Sequence, residues 1–201
     1  MQVLPYESFV HRALPDNCLE LIFYCKGNLS ISSQDGDEGN TFASGVFGQA
    51  KKFRQFRTTS NFVLFGAYLF PYSLRMLFNI PADALCNEKV DSETLFGFEG
   101  KVLEEQIHLA HTDEQRVRIA SKFFLKKISM IQTHDAAFAR HIQLAIENNS
   151  VHSISSFASD CNLSRRQFER KFKEFSGLSP KDFFSIVRFK KVLNKIEQGN
   201  T

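Results

Sequence analysis

The first seventy residues alternate between short apolar runs and polar or glycine-containing breaks. The segment CLELIFYC at 18–25 is apolar and bounded by polar residues, which is typical of a buried β-strand. A turn at 26–28 leads to a second predicted strand at 29–32, and a polar loop is expected at 34–40. Further strands are predicted for the segments FASGVFG, FRQFRTT and NFVLFGAYLF.

The pattern changes after Pro71 to the three-to-four-residue spacing of amphipathic helices. Thr112 can cap one of these helices, with Glu114 and Gln115 in its first turn. We expect the helices to form a connector and then a C-terminal bundle. The predicted segments are 73–78, 80–87, 90–97 (helical or irregular), 101–125 (two helices) and 136–146, which ends at Asn148-Asn149-Ser150.

Two short helices with a tight turn between them are predicted from residue 153 to residue 177. Asn162 makes the turn, and Ser164 caps the second helix because its hydroxyl can accept from a free N–H of the first turn. Gly177 ends that helix. This arrangement is a helix-turn-helix. The first helix has Ser153 or Ser155 as its cap and Ile154, Phe157, Ala158 and Cys161 facing inward, and the second carries one stripe of Phe168, Phe172 and Phe175.

The opposite face of the second helix is basic. A helix of about 10–12 Å diameter fits the major groove of DNA, which is about 12 Å wide. Arginine can donate two hydrogen bonds to guanine, and glutamate can accept one from cytosine. The alternative is a solvated basic face with no partner. The predicted base contacts are Arg166, Glu169, Arg170 and Lys173, and Ser164, Arg165 and Lys171 lie at the end or the flanks, nearer phosphate.

The charge distribution favours DNA as the partner of the C-terminal region. The whole chain carries a formal charge of only +3, but Ser164 to Lys195 holds ten basic and three acidic residues. That segment therefore carries +7 and the rest of the chain −4. A mildly acidic body with a basic segment is typical of separate regions with separate partners.

The segment FASDCNLSRRQFERKFKEFSGLSPKDFFSIVRFKKVLNKI resembles the first half of the AraC/XylS-type DNA-binding domain. The shared features are the Leu-Ser cap, Phe-x-Arg-x-Phe-Lys and Gly-Leu-Ser-Pro. The resemblance covers the 40 residues of this segment, and it implies that the base contacts fall on Arg166, Glu169, Arg170 and Lys173. It also implies a second helix-turn-helix after the linking helix at 181–197. None follows, and we expect that the chain was cut there rather than truncated in nature.

The N-terminal half more loosely resembles one subgroup of the same regulators, through LPDNCLELIF at 14–23 and FGAYLFPYSLRMLFNIPADAL at 65–85. The resemblance implies a small sensing module. Asn17 replaces a common glycine, and an arginine common in the second motif is missing here. The residues that can line an effector pocket are Asp16, Asn17, Glu20, Tyr24 and Phe65. The alternative is that the first motif is only a tight turn at the start of a β-layer, which explains it equally well.

Other chemistry is not indicated. His108 and His111 lie three residues apart but lack a third metal ligand at suitable spacing, unless His134 or His141 approaches in space. Cys18 and Cys25 with His11 could form a redox or metal site, but cysteines in a buried strand are more often small core residues. No phosphate-binding glycine loop, HExxH or GxSxG motif occurs, so we expect no enzyme, no metal and no cofactor. Scattered cysteines without a signal peptide predict free thiols and a cytoplasmic protein. The longest apolar stretch, at 62–70, is too short to span a bilayer, so no membrane span is expected.

The sequence thus predicts an α+β chain in three parts. A β-rich module, an incomplete barrel or sandwich that senses or dimerises, spans 1–90, a helical connector spans 91–133, and the first helix-turn-helix with its linker helix spans 134–201. The predicted function is sequence-specific regulation of transcription on double-stranded DNA, with a small-molecule effector and a homodimer as further partners. The alternative is a small-ligand or protein-interaction module whose C-terminal helices do not bind DNA.

Overall fold

The structure, a computed structural model, describes residues 9–33, 38–40, 42–131, 135–147 and 154–199. Strands dominate the first ninety residues and helices the remainder, so the α+β prediction is confirmed. The strands are β1 (Phe9–Ala13), β2 (Leu19–Lys26), β3 (Ser30–Ser33), β4 (Glu38–Asn40), β5 (Ser44–Phe47), β6 (Arg54–Thr58), β7 (Val63–Leu69) and β8 (Lys89–Asp91). The helices are α1 (Ser73–Phe78), a 3₁₀ helix (Ala82–Leu85), α2 (Ser92–Phe96), α3 (Phe98–Leu109), α4 (Asp113–Ile128), α5 (Ala136–Glu147), α6 (Ile154–Asp160), α7 (Arg165–Ser176) and α8 (Pro180–Glu197).

The strands form two four-stranded antiparallel sheets, in the orders β1-β6-β3-β4 and β7-β2-β5-β8. Strand β2 lies in the middle of the second sheet. Its Leu21 and Phe23 pack against the helices, whereas Ile22 and Tyr24 pack toward the first sheet. Because both faces of β2 are covered, its sequence is a continuous apolar run rather than an alternating one.

Three short elements were not predicted from the pattern. Strand β1 pairs with β6, but its middle residues are exposed and give little hydrophobic signal. Strand β4 pairs with β3 inside the segment predicted as a loop, whose residues 34–37 lie outside the described part. Strand β8 pairs with β5 where irregular or helical structure was expected, and helix α2 follows it.

Helices α1 to α4 cover the outer face of the second sheet. Leu74, Leu103 and Ile107 are buried there against Leu21 of β2. Helix α4 begins at the predicted cap: Thr112 accepts a hydrogen bond from the Gln115 N–H, and the Gln115 side chain accepts in return from the Thr112 N–H. Such a capping box satisfies two of the free N–H groups at a helix start.

Helices α5 to α8 enclose a second core that is built mainly of phenylalanine. Phe168 and Phe172 of α7 and Phe183 of α8 are completely buried. The rings of Phe172 and Phe183 meet edge to face with their centroids 5.2 Å apart, an arrangement that aromatic pairs favour. The predicted end of α5 at 148–150 lies outside the described residues.

We predict that Phe172→Ala lowers the free energy of unfolding by about 3–5 kcal/mol, because it leaves a cavity in a fully packed core. The matched control is Phe189→Ala on α8, where the side chain is 42% exposed and much less packing is lost. Urea denaturation followed by circular dichroism measures both. Equal losses in the two variants would show that the phenylalanine core does not hold these helices together.

Candidate DNA-binding surface and ligand cavity

Helices α6 and α7 form the predicted helix-turn-helix. Asn162 makes the turn with a left-handed backbone (φ 53°), and the Leu163 N–H donates to the Ala158 carbonyl over 3.0 Å. Ser164 caps α7 as predicted, with its hydroxyl accepting from the Gln167 N–H. The predicted cap Ser153 lies outside the described residues, and Ser155 lies inside α6 rather than at its start.

The buried face of α7 is the predicted phenylalanine stripe. Phe168, Phe172 and Phe175 are each no more than 1% exposed. The helix ends at Gly177, whose backbone is left-handed (φ 77°). The left-handed backbone is the main reason for glycine here. A Cβ atom would also lie 2.4 Å from the Gln49 side-chain oxygen, so that side chain would have to move.

The outer face of α7 presents two free guanidinium groups. Arg166 and Arg170 are exposed, and in the part of the chain that the structure describes neither forms a hydrogen bond or an ion pair. Arg165 instead donates to Glu169 one turn along the helix, over 3.0 Å. Lys173 lies 3.8 Å from Asp83 of the 3₁₀ helix. Of the predicted base contacts, the three basic residues are exposed and Glu169 is half-buried, so the four are not equivalent.

The last turns of α7 lie against the β-module. The 3₁₀ helix at 82–85 packs on α7. Arg75 of α1 pairs with Glu174 over 3.3 Å, and with Asp135 just before α5. Lys171 also pairs with Asp135. The open outer face of α7 consequently consists of its first two turns.

Asn17 joins the β-module to the linker helix α8. Its side-chain nitrogen donates to the Phe183 carbonyl over 2.9 Å, and its own carbonyl accepts from Gln49 over 2.7 Å. The residue is 5% exposed and has a left-handed backbone with φ 60°. Two ion pairs lie on either side: Lys51 with Asp182 at 2.7 Å and Lys190 with Asp16 at 3.9 Å.

A cavity of about 480 Å³ lies between the two sheets. Its inner wall is apolar and includes the buried side chains of Leu29, Phe56 and Phe62. Its mouth carries Glu20 of β2 and Tyr68 of β7, which face each other across the strand pair. A volume of this size is typical of small-molecule sites.

The Glu20 carboxyl at the cavity mouth lies in an environment that raises its pKa. Burial, and then the negative charge of Asp16, raise the pKa of the Glu20 carboxyl, although the positive charge of Arg54 opposes the rise. Among the described residues no donor lies within hydrogen-bonding or ion-pairing distance of Glu20. The Arg54 guanidinium donates instead to the Gly48 carbonyl over 2.9 Å. The negative charge of Glu20 also raises the pKa of the Tyr68 hydroxyl.

The five predicted effector residues separate into two groups. Asp16, Glu20 and Tyr24 line the cavity. Asn17 faces α8, and Phe65 lies on the opposite face of β7, where its ring contacts Phe23. The cavity also has wall residues from β1, such as His11 and Arg12, which were missed because β1 itself has no alternating pattern.

The histidines and cysteines considered as possible metal ligands have other contacts or remain free thiols. The two His108 ring nitrogens lie within hydrogen-bonding distance of the Glu104 and Tyr24 carbonyls. Burial raises the pKa of the Cys18 thiol to about 11, and all four cysteines are free. Within the described ranges, no three His, Cys, Asp or Glu side chains form a metal-ligand group. His134, considered as a further ligand, lies outside those ranges.

None of the described helices combines the length and apolar character needed to cross a bilayer.

Comparison with known families matches residues 2–91 to a domain of unknown function, DUF6597. No curated protein is significantly similar in sequence to the chain. Solved structures of ToxT from Vibrio cholerae are similar to this chain in backbone structure. One, at 10% identity and a TM-score of 0.47, is matched over 100% of this chain and 83% of that one. The unsaturated fatty acid-bound ToxT of strain SCE256 matches at 8% identity and a TM-score of 0.47, over 100% and 80% of the two chains. Similarity this distant assigns neither ligand nor function to the present chain.

We predict that Asn17→Ala lowers the free energy of unfolding by about 1–3 kcal/mol, because the buried hydrogen bond from Asn17 to the Phe183 carbonyl is lost. The left-handed backbone adds strain for alanine. Asn17→Gly is the matched variant, since glycine accepts that backbone but removes the same hydrogen bond. Thermal unfolding compares the three proteins. Wild-type stability in Asn17→Gly would exclude a stabilising role for the contact with α8.

We predict that Glu20→Gln is more stable than the wild type at pH 7 and equally stable near pH 4. The folded-state pKa of Glu20 is raised, so the folded protein binds the proton more tightly than the unfolded chain. Wild-type stability therefore falls as the pH rises above the unfolded pKa of about 4.3, and glutamine removes this loss. Urea denaturation across this pH range tests it, with the exposed Glu105→Gln as control. A stability difference independent of pH would contradict the prediction.

Proposed function

We propose that the chain is a sequence-specific DNA-binding regulator of transcription, in which α7 enters the major groove. The observation that supports this most is the pair of exposed guanidinium groups on Arg166 and Arg170, which have no hydrogen-bond or ion-pair partner in the described part of the chain. The helix that carries them is fixed from beneath by three buried phenylalanines.

The spacing of the two arginines suits adjacent bases. Residues four apart on a helix are separated by about 6 Å along its axis, and successive bases on one DNA strand by about 3.4 Å. Arg166 and Arg170 can therefore reach positions about two base pairs apart. Arginine prefers guanine, to which it donates two hydrogen bonds. We expect a half-site with two guanines within about three base pairs.

The other predicted contacts have different roles in this proposal. Ser164 and Arg165, at the start of α7, lie where the phosphate backbone passes. Glu169 can accept from cytosine only in competition with Arg165, which it already binds. Lys173 is held toward Asp83 by an ion pair with a nitrogen–oxygen distance of 3.8 Å. Its contribution to base reading is therefore expected to be small.

The resemblance of residues 157–196 to the AraC/XylS-type DNA-binding domain supports the same assignment. In this proposal the β-module senses a small-molecule effector in the cavity between its sheets, and contacts such as Asn17 with Phe183 relay its state to the DNA-binding helices. A second helix-turn-helix, as in that family, would add contacts with a neighbouring groove. The protein acts in the cytoplasm in this proposal, and regulation rather than catalysis is its activity.

A homodimer is part of the proposal, since paired half-sites are common for such readers. Helix α4 exposes three apolar side chains, Val117, Leu125 and Ile128, each at least 51% accessible. These residues lie at spacings of eight and three along the helix and form a stripe on one side of it. The stripe is the surface on which a second copy would pack.

We predict that Arg166→Ala and Arg170→Ala each weaken binding to a duplex selected by the wild-type chain from a random library, by about 1–3 kcal/mol. Each loss should disappear when the guanine read by that arginine is replaced. Fluorescence anisotropy at low ionic strength is the measurement, because few phosphate contacts give weak binding that salt reduces further.

The matched control is Arg118→Ala on α4, another exposed arginine that lies outside the helix-turn-helix. It should bind the duplex as the wild type does. If both α7 variants also bind like the wild type, α7 is not the reading helix. If the wild-type chain selects no duplex, and still selects none with a second helix-turn-helix appended, the alternative of a ligand-binding or protein-interaction module is favoured.

A further inference from the structure

The cavity between the sheets combines an apolar interior with an acidic mouth. Tyr24, Leu29 and Phe62 are each no more than 5% exposed and form its interior. At the mouth, Asp16 and Glu20 supply carboxylates, and Tyr68, which is 72% exposed, supplies a hydroxyl. A ligand would therefore place an apolar body inside and a polar group at the mouth.

The basic groups around the mouth have other contacts. The Arg54 guanidinium, which does not itself line the cavity, donates through one nitrogen to the Gly48 carbonyl and lies over the Phe47 ring, and its buried second terminal nitrogen has no hydrogen-bond partner among the described residues. The His11 ring lies beside the Phe9 and Phe56 rings. The Arg12 guanidinium lies 4.6 Å from the centre of the Phe53 ring. Lys190 lies near Asp16, at 3.9 Å. These positive charges reduce the field of the two acids, but within the described residues none of them pairs with Glu20.

Glu20 is thus a partly buried carboxyl for which the described residues provide no donor. Buried charges are normally paired, because losing water costs free energy that an unpaired group does not recover. A carboxylate ligand would add a further negative charge beside Asp16 and Glu20. A neutral apolar ligand would bury Glu20 further and leave it unpaired. An ammonium group supplies the missing charge-assisted hydrogen bond.

We infer that this cavity binds small apolar amines, with the ammonium group held by the Glu20 carboxylate and the apolar body between the sheets. The inference rests on the proposed sensing role of the β-module and adds the chemical class of the effector. The volume of about 480 Å³ suits a molecule with one aromatic ring or a short branched chain.

The position of Glu20 also gives the ligand a route to the DNA-binding helices. Asp16 lines the cavity, its carboxylate accepts a hydrogen bond from the Cys18 N–H, and the residue between them is Asn17. Asn17 donates to the Phe183 carbonyl of α8. A cation bound at the mouth therefore acts on the same turn that holds α8 to the β-module.

Three probes of matched shape test the inference: 2-phenylethylamine, 2-phenylethanol and 3-phenylpropanoate. Isothermal titration calorimetry of the full chain at neutral pH measures their affinities. We expect the amine to bind about tenfold or more tightly than the alcohol, because its hydrogen bond is charge-assisted, and the carboxylate to bind most weakly. Glu20→Gln should remove the preference for the amine, whereas the exposed Glu105→Gln should retain it.

Tightest binding of the carboxylate, a preference for the amine that persists in Glu20→Gln, or no binding of any probe would each overturn the inference. Duplex binding by the same protein, measured separately without any probe, distinguishes this failure from failure of the proposed function. DNA binding without a preference for the amine leaves the regulator assignment intact and refutes only the ligand class. Amine binding without DNA binding refutes the regulator and leaves the cavity assignment intact.

Discussion

The burial of three phenylalanines on one side of α7 is the constraint on which the rest of the proposed DNA-binding surface depends. Phe168, Phe172 and Phe175 are all within 1% of complete burial, so α7 cannot rotate about its axis without exposing aromatic surface to water. Because the phenylalanine side of α7 has a fixed orientation, the opposite side of the helix has a fixed orientation as well. Arg166 and Arg170 then face solvent in one defined direction, and the pair formed by Arg165 with Glu169 lies beside them.

A second constraint sets the position of that surface relative to the β-module. Asn17 donates across the boundary to the Phe183 carbonyl and accepts from Gln49 within the β-module, and Gly177 approaches the Gln49 side chain closely. Ion pairs surround these contacts, but their partly exposed charges each contribute only modest stability. The buried hydrogen bonds of Asn17 are therefore the more specific link. In the proposed function, these bonds connect the cavity mouth, one residue away, to α8.

Much of this organisation could be predicted from the sequence because its signals are local. The caps Thr112 and Ser164, the turn at Asn162 and the stop at Gly177 each depend on a few neighbouring residues, and all four lie where they were expected. The strands β1 and β4 could not be predicted, because their pairing partners, not their own sequence, define them. For the same reason the cavity wall from β1 was missed. That Asn17 faces α8 and Phe65 faces the helices depends on tertiary packing, which no local pattern contains.

The orientation of the two free guanidinium groups toward DNA is tested most directly by nuclear magnetic resonance. Arginine side-chain Nε–H signals can be followed while a duplex selected by the chain is added. We expect the signals of Arg166 and Arg170 to shift most at saturation, while that of Arg116, which is held by Asp113 and the Ala110 carbonyl, does not move. Unchanged signals of Arg166 and Arg170 in a fully bound complex would contradict the placement of α7 in the major groove.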